Sequence, residues 1–251
     1  MAIIESESLI LKSYSLAEAD KIVVFLTQGH GLVRGVAKGA KRLKSRFGGS
    51  LEPFSVVNLT FFQREERELV SISNIELQES YFTQAARPEV LQKFSYLSEL
   101  LVEFAPPNEP NERLYRMARI CLETAANDPG SLEAIVLYFE LWLLRLAGFL
   151  PVWSNCDGCR SEFTSGAVTN LQINFHLLCL DCLRNKPRVP VTPAERRVFT
   201  LAQSVSPPKF SEAARDFASE VRAISQILKK IISHILGKEN VGERILITGQ
   251  L

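Results

Sequence analysis

Long apolar runs, histidine, methionine and tryptophan are all scarce in this chain of 251 residues, and each scarcity narrows what it can be. The most apolar stretch, residues 134–151, is interrupted by Glu140 and Arg145. It falls short of the roughly 20 residues that a spanning helix needs, so it reads as a buried core helix and no membrane partner is expected. The first ten residues, MAIIESESLI, lack a basic segment followed by an apolar one. No signal peptide is therefore expected, and a cytoplasmic location is. Three histidines, His30, His176 and His234, leave little room for imidazole chemistry. Walker A, G-x-S-x-G and H-E-x-x-H sequences are all missing, and Gly29, Gly31 and Gly35 have hairpin-turn spacing and not a dinucleotide fingerprint. There is no internal repeat and no low-complexity tract. A binding protein is expected, and no catalytic residue is assigned.

One absence is local. The 29 basic and 28 acidic side chains nearly cancel, yet no Asp or Glu occurs from position 21 to 51. Arg34, Lys38, Lys41, Arg42, Lys44 and Arg46 place six cations in thirteen residues, punctuated by glycine. Such a run attracts phosphates through counterion release whatever the base sequence, and these six residues are the candidate nucleic-acid site. A flexible loop is expected here. Tyr14, Phe25, Phe47, Phe61 and Phe62 are the rings that could stack on unpaired bases, although a barrel core needs aromatics too. Acidic clusters at 65–66 and 76–79 read as solvated.

What the chain does have is cysteine in a pattern. Cys156-x-x-Cys159 and Cys179-x-x-Cys182 are separated by 19 residues, within the roughly 15 to 20 typical of four-thiolate zinc sites. Four cysteines fill a tetrahedral shell and leave no position for water or substrate, so one structural zinc ion is expected. Redox dithiols and disulfides fit less well, because no thioredoxin-like unit surrounds the pairs and no secretory segment points to an oxidising compartment. His176 is a candidate substitute ligand. Cys121 falls in a helical pattern and reads as a small core residue.

Five short β-rich runs, 8–14, 21–27, 31–37, 54–63 and 68–76, predict a small barrel of the OB type, with an SH3-like barrel as the alternative. The period then becomes helical. Helices are expected over 87–104, 111–126 and 131–147, the last capped by Ser131. Thr192-Pro-Ala-Glu195 reads as a capping box, and a single helix is expected over 211–236, stopping at Gly237. The fold class is thus α+β and multidomain: an OB-fold β-barrel over 1–80, an α-helical domain from 81–150 and 192–251, and an inserted zinc module over 151–191. An added strand is expected in the tail, 241–251.

Together, the segment VRGVAKGAKRLKSRFGGSLEPF, the approach LAGFLPVWSNCDGC and the second pair LLCLDC resemble the bacterial recombination mediator RecO family over nearly the whole chain. The chain departs from that pattern where Arg160, and not glycine, follows the first cysteine pair. The resemblance implies DNA repair by the RecFOR pathway. Such proteins bind single- and double-stranded DNA and anneal complementary strands without ATP. With RecR, and in some bacteria RecF, they help load RecA onto DNA coated by single-stranded DNA-binding protein. A groove for the acidic C-terminal tail of the coating protein would be sought near Arg113, Arg116 and Arg119, where a solvated basic face is the alternative. Two other classes stay open: an OB-fold RNA-binding accessory protein with a structural zinc site, and a metalloenzyme with an open zinc position.

Overall fold

The computed structural model describes residues 2–63, 68–184 and 187–237. The acidic pair at 65–66 and the tail strand expected at 241–251 lie outside the described residues. The chain divides into two compact units, 1–129 and 130–250. No described helix is long and apolar enough to cross a membrane.

The first unit opens with five strands: β1 (Ala2–Leu16), β2 (Asp20–Thr27), β3 (Gly31–Ala37), β4 (Ser55–Gln63) and β5 (Val70–Ser80). They close into a barrel in the order β1-β2-β3-β5-β4, with β4 returning to β1. All pairings are antiparallel except β3 with β5. That order and that one parallel pair are the OB topology, and the SH3-like alternative is set aside. Strand β1 serves both edges because it is long and carries a bulge between Ile10 and Lys12, where it leaves β4 and follows β2. The alternating pattern turns Ile10, Val23, Phe25, Val33, Val57, Leu59, Phe61, Val70 and Ile72 into one core. Closure is tightest at Gly35, where a Cβ would come within 2.9 Å of Val70 and Ile72 side-chain carbons. A side chain there would force β3 and β5 apart.

Helices α1 (Pro88–Phe104) and α2 (Glu112–Asn127) belong to this unit. Pro88 stands at the first turn of α1, where its missing N–H costs nothing. Phe94 packs edge-on against Phe54, and Glu99 pairs with Lys12 at 3.5 Å. Asn111 caps α2 by accepting from the Leu114 N–H. Tyr115 and Arg119 both donate to Glu7 of β1, at 2.8 and 2.6 Å, tying α2 to the sheet. The proline-rich connection between the helices runs beside β3: Asn108 N–H donates to the Leu32 carbonyl, and the Glu109 backbone lies directly on Gly31.

The second unit is built on α3 (Leu132–Leu146), buried almost all round, with α5 (Pro193–Ser204), α6 (Pro207–Ala213) and α7 (Ala218–Leu236) against it. Ser131 stands at the α3 N-cap but its side chain makes no capping bond. The capping box of Thr192 and Glu195 is present in both directions. Glu140 is fully buried on α3 and accepts from Ser225 of α7 at 2.8 Å. The single helix expected over 211–236 is in fact two. Pro207 and Pro208 start α6, a 3-10 turn at Arg215–Phe217 follows, and Phe217 leaves helical geometry with ψ 35° before α7 begins. The apolar spacing runs through the break because a 3-10 turn advances three residues, close to the helical period. Gly237 ends α7 in the left-handed conformation, as its position predicts.

Candidate metal centre and nucleic-acid interface

Between α3 and α5, β6 (Thr169–Leu171), β7 (Leu177–Leu178) and β8 (Pro190–Val191) form a small sheet in the order β7-β6-β8, followed after β7 by one helical turn, α4 (Leu180–Leu183). This sheet brings the cysteine pairs together. Asp157 N–H donates to the Leu177 carbonyl, holding the first pair against β7, while Cys179 and Cys182 flank the start and first turn of α4. The sulfurs of Cys156, Cys159, Cys179 and Cys182 all lie within 4.8 Å of one another, and Cys159 Sγ is 3.9 Å from Cys179 Sγ. Ideal tetrahedral zinc thiolate, with Zn–S near 2.3 Å, requires sulfurs about 3.8 Å apart, so the donor set fits a metal ion of that size.

Local electrostatics agree. Burial opposes ionisation of Cys156, but backbone N–H groups of Cys159, Cys179 and Gly158 outweigh it and bring the thiol down to about 6. Cys182 is pushed up to about 12 by Cys179 and Cys159 beside it. Four sulfurs this close cannot all ionise unaided, and a divalent cation removes that conflict. His176, the candidate substitute ligand, lies 3.9 Å from Asp157 Oδ1, and among the described residues no histidine joins the four cysteines.

Two backbone positions explain the turn. Gly158 is pressed on the second pair: a Cβ would sit 3.0 Å from Cys182 Sγ. Arg160 has φ +64°, the left-handed region where glycine is at ease. The departure from the family pattern therefore falls at a residue whose backbone favours glycine, and Arg160 N–H still closes the turn onto the Cys156 carbonyl.

The residues that fix this module to the helices went unnoticed in the sequence. Arg196 of α5, only 9 % exposed, donates through Nη2 to the Thr164 and Ala167 carbonyls, both at 2.8 Å, and lies over the Phe163 ring. Trp153 stacks on Phe199 at 4.2 Å and donates to the Phe175 carbonyl. The capping box marks where α5 starts, but nothing local to Arg196 says that it faces inward.

In the first unit, Arg34, Lys38, Lys41, Arg42, Lys44 and Arg46 are all exposed. Arg34 projects from β3, and the other five lie in the segment that joins β3 to β4. That segment is not the flexible loop expected from its composition. It is a succession of turns closed by hydrogen bonds from Arg42 to Gly39, Ser45 to Arg42, Gly48 to Ser45 and Ser50 to Phe47. Its start is fastened to the β1–β2 turn: Lys41 N–H donates to the Ala19 carbonyl and Gly39 N–H to Asp20 Oδ1. Its middle is fastened from inside, since Phe47 and Leu51 enter the barrel core. The cations ride on the outside of this plug, with Leu43 fully exposed among them.

The candidate stacking rings separate cleanly. Phe25, Phe47 and Phe61 are buried in the barrel core and cannot meet a base, Phe62 is half-buried, and Tyr14 is 50 % exposed. Of the α2 arginines, Arg113 and Arg116 are exposed, whereas Arg119 is held by Glu7. His30 packs edge-on to Phe61 and His234 to Phe175.

Comparison with known proteins leads to one family. The models described as "Recombination protein O N terminal" and "Recombination protein O C terminal" match residues 1–81 and 93–244. Similar proteins include those named "DNA repair protein RecO" from Koribacter versatilis, 32 % identical over 65 % of this chain and 66 % of the relative, and from Desulforamulus reducens, 32 % identical over 75 % and 72 %. Another, from Syntrophotalea carbinolica, is 31 % identical over 71 % of this chain and 69 % of its own length. Since these two models together match most of its length, the chain belongs to the recombination protein O family.

Proposed function

We propose that this protein is a DNA-repair recombination mediator. It binds single- and double-stranded DNA, anneals complementary strands without ATP and, with RecR, helps load RecA onto DNA coated by single-stranded DNA-binding protein. RecF joins in some settings, and the protein works in the cytoplasm at the nucleoid. The observation that carries this reading is the acid-free array of six exposed cations, one on β3 and five on the turns after it that are anchored in an OB barrel, in a chain of this family. Annealing asks little more of a protein than screening of phosphate repulsion while base edges stay free. Arg34, Lys38, Lys41, Arg42, Lys44 and Arg46 supply the screening. No bond is made or broken in the step, so no catalytic group is required.

Residues 151–191 act as an inserted module that holds one structural zinc on Cys156, Cys159, Cys179 and Cys182. The metal supplies cross-linking of two chain segments and no reactive water, because its four positions are taken by sulfur.

The test is annealing of two complementary oligonucleotides without ATP, with and without coating protein, over a salt series. Lys41→Ala, Arg42→Ala and Lys44→Ala combined should weaken single-strand binding and make the salt slope shallower by about 0.7 per lost phosphate contact. A wild type that neither binds nor anneals DNA refutes the mediator reading, and tight binding of matched RNA alone would favour an RNA-binding accessory role.

A further inference from the structure

Strand register places an exposed ring on the same outer face of the barrel as part of the cation array. Across β1, β2 and β3, Lys12 pairs with Val24 and Val24 with Arg34; one row on, Tyr14 pairs with Ile22 and Ile22 with Val36. Val23, Phe25, Val33 and Ala37 occupy the opposite parity and fill the barrel. Both rows therefore lie on the outer face. The Lys12 row is covered on β1 and β2, since Val24 is buried and Lys12 is paired with Glu99 of α1, and only Arg34 on β3 is exposed. The Tyr14 row is not. Tyr14 is 50 % exposed, and Ile22 and Val36 are partly exposed beside it.

Arg34 stands one row away on the same strand face as Val36, and Lys38 directly follows the end of β3. Lys41 is brought to the same end of the sheet by its two bonds to the β1–β2 turn, from N–H to the Ala19 carbonyl and from Nζ to the Ala17 carbonyl. Three cations that can follow a phosphate chain thus share this end of the outer face with a half-exposed phenol ring, which lies in one cross-strand row with two partly exposed aliphatic residues. A ring with an apolar floor takes the flat face of an unpaired base, and a duplex with its bases stacked inside offers no such face.

We propose that Tyr14, supported by Ile22 and Val36, is a base-stacking platform for single-stranded nucleic acid, with Arg34, Lys38 and Lys41 holding the adjoining phosphates. This deepens the DNA-binding reading above and rests on it. It makes Tyr14 the residue that distinguishes an unpaired strand from a duplex at the barrel surface.

The experiment is fluorescence anisotropy at one fixed salt concentration with three probes: an oligothymidylate of 20 nucleotides, an abasic strand of the same length, and a 20-base-pair duplex. Wild type, Tyr14→Ala, Tyr14→Leu and Tyr14→Trp are compared, with circular dichroism to verify folding. Tyr14→Ala and Tyr14→Leu should weaken oligothymidylate binding by about five- to a hundredfold, the span of one lost base stack, and leave abasic and duplex binding unchanged. Tyr14→Trp should retain affinity, and its indole emission should be quenched by oligothymidylate only. Unchanged oligothymidylate binding by Tyr14→Ala overturns the platform while leaving the DNA-binding reading intact. An equal loss on all three probes also overturns it, because that pattern reports a disturbed cation array. Failure of the wild type to bind any probe overturns both.

Discussion

Replacing Arg196 with alanine should detach one side of the cysteine module from α5, and the structure sets the scale. Arg196 Nη2 gives two hydrogen bonds of 2.8 Å to the Thr164 and Ala167 carbonyls. Hydrogen bonds from a charged donor contribute about 1.5–3 kcal/mol each, and the guanidinium over Phe163 adds about 0.5–1 kcal/mol. Two features reduce the sum. Thr164 is exposed, so its carbonyl can recover water when the arginine is gone, and Arg196 Nε is buried without a partner, a cost the native protein already carries. Burial also draws the guanidinium pKa below its usual value. The net expectation is a loss of about 2 kcal/mol in urea unfolding of the second unit. Hydrogen exchange should place the loss: the Ala167 N–H bonded to Thr164 and the Phe163 N–H bonded to Ser154 should exchange faster. Arg196→Lys should recover about half, because a point ammonium on a flexible stem lacks the planar fork. A loss below about 0.5 kcal/mol with unchanged exchange at Phe163 and Ala167 would show that the module is held by the Trp153 and Phe199 stack instead.

Three other outcomes follow from named contacts. Gly31→Ala should destabilise the first unit by at least about 2 kcal/mol in thermal or urea unfolding, since φ is +68° and a Cβ would overlap the Glu109 carbonyl oxygen; a change under about 0.5 kcal/mol refutes the close approach. Arg160→Gly should stabilise the zinc module by about 1 kcal/mol through relief of its left-handed backbone, because the Asp157 ion pair it gives up is largely exposed. If the four cysteines hold zinc as proposed, a chelator should abolish hydrogen-exchange protection of the Cys156 and Arg160 amides while the barrel amides of β1 and β4 stay protected. One zinc bound to four sulfurs by X-ray absorption is the companion expectation, and an oxygen or nitrogen ligand in the shell would reopen the metalloenzyme alternative.

How much of this was legible beforehand depended on how local the cause was. The five strands, the capping box at Thr192 and the Gly237 stop are written in patterns a few residues long, and the structure has all of them, although β1 begins six residues before the expected run and β5 extends to Ser80. The cysteine cluster was legible for the same reason, since ligand spacing is itself local. The barrel was expected, but the strand pair that closes it was not legible: the parallel pairing of β3 with β5 depends on Gly35 meeting Val70 and Ile72, residues far apart in the chain. The grouping of α1 and α2 with the barrel is set by contacts such as Tyr115 and Arg119 with Glu7, more than 100 residues away. The continuous helix over 211–236 failed because apolar spacing survives a 3-10 turn, while the prolines that start α6 fall just before that range. The cationic segment misled in the opposite sense. Its glycines and charges read as flexible, and the two residues that order it, Phe47 and Leu51, look unremarkable in a linear scan.

That last point separates two ways of weakening DNA binding. Lys41, Arg42 and Lys44 would act through charge, so removing them should lower both the affinity and its dependence on salt. Phe47 would act only through order. It is buried in the barrel core under the turn that carries Arg46, whose guanidinium lies 4.9 Å from the ring centroid. Phe47→Leu keeps every cation but leaves the core short of ring volume, at a cost of about 1–1.5 kcal/mol that the barrel can withstand. Loosening the plug lets the turns between Gly39 and Ser50 sample more conformations, so DNA must order them again on binding. Affinity for an oligothymidylate should therefore fall about threefold to tenfold with no change in the slope of log affinity against log salt, because the number of phosphates neutralised is the same. A shallower slope for Phe47→Leu would mean that the ring positions cations individually, and unchanged affinity would mean that the array binds equally well as a flexible loop.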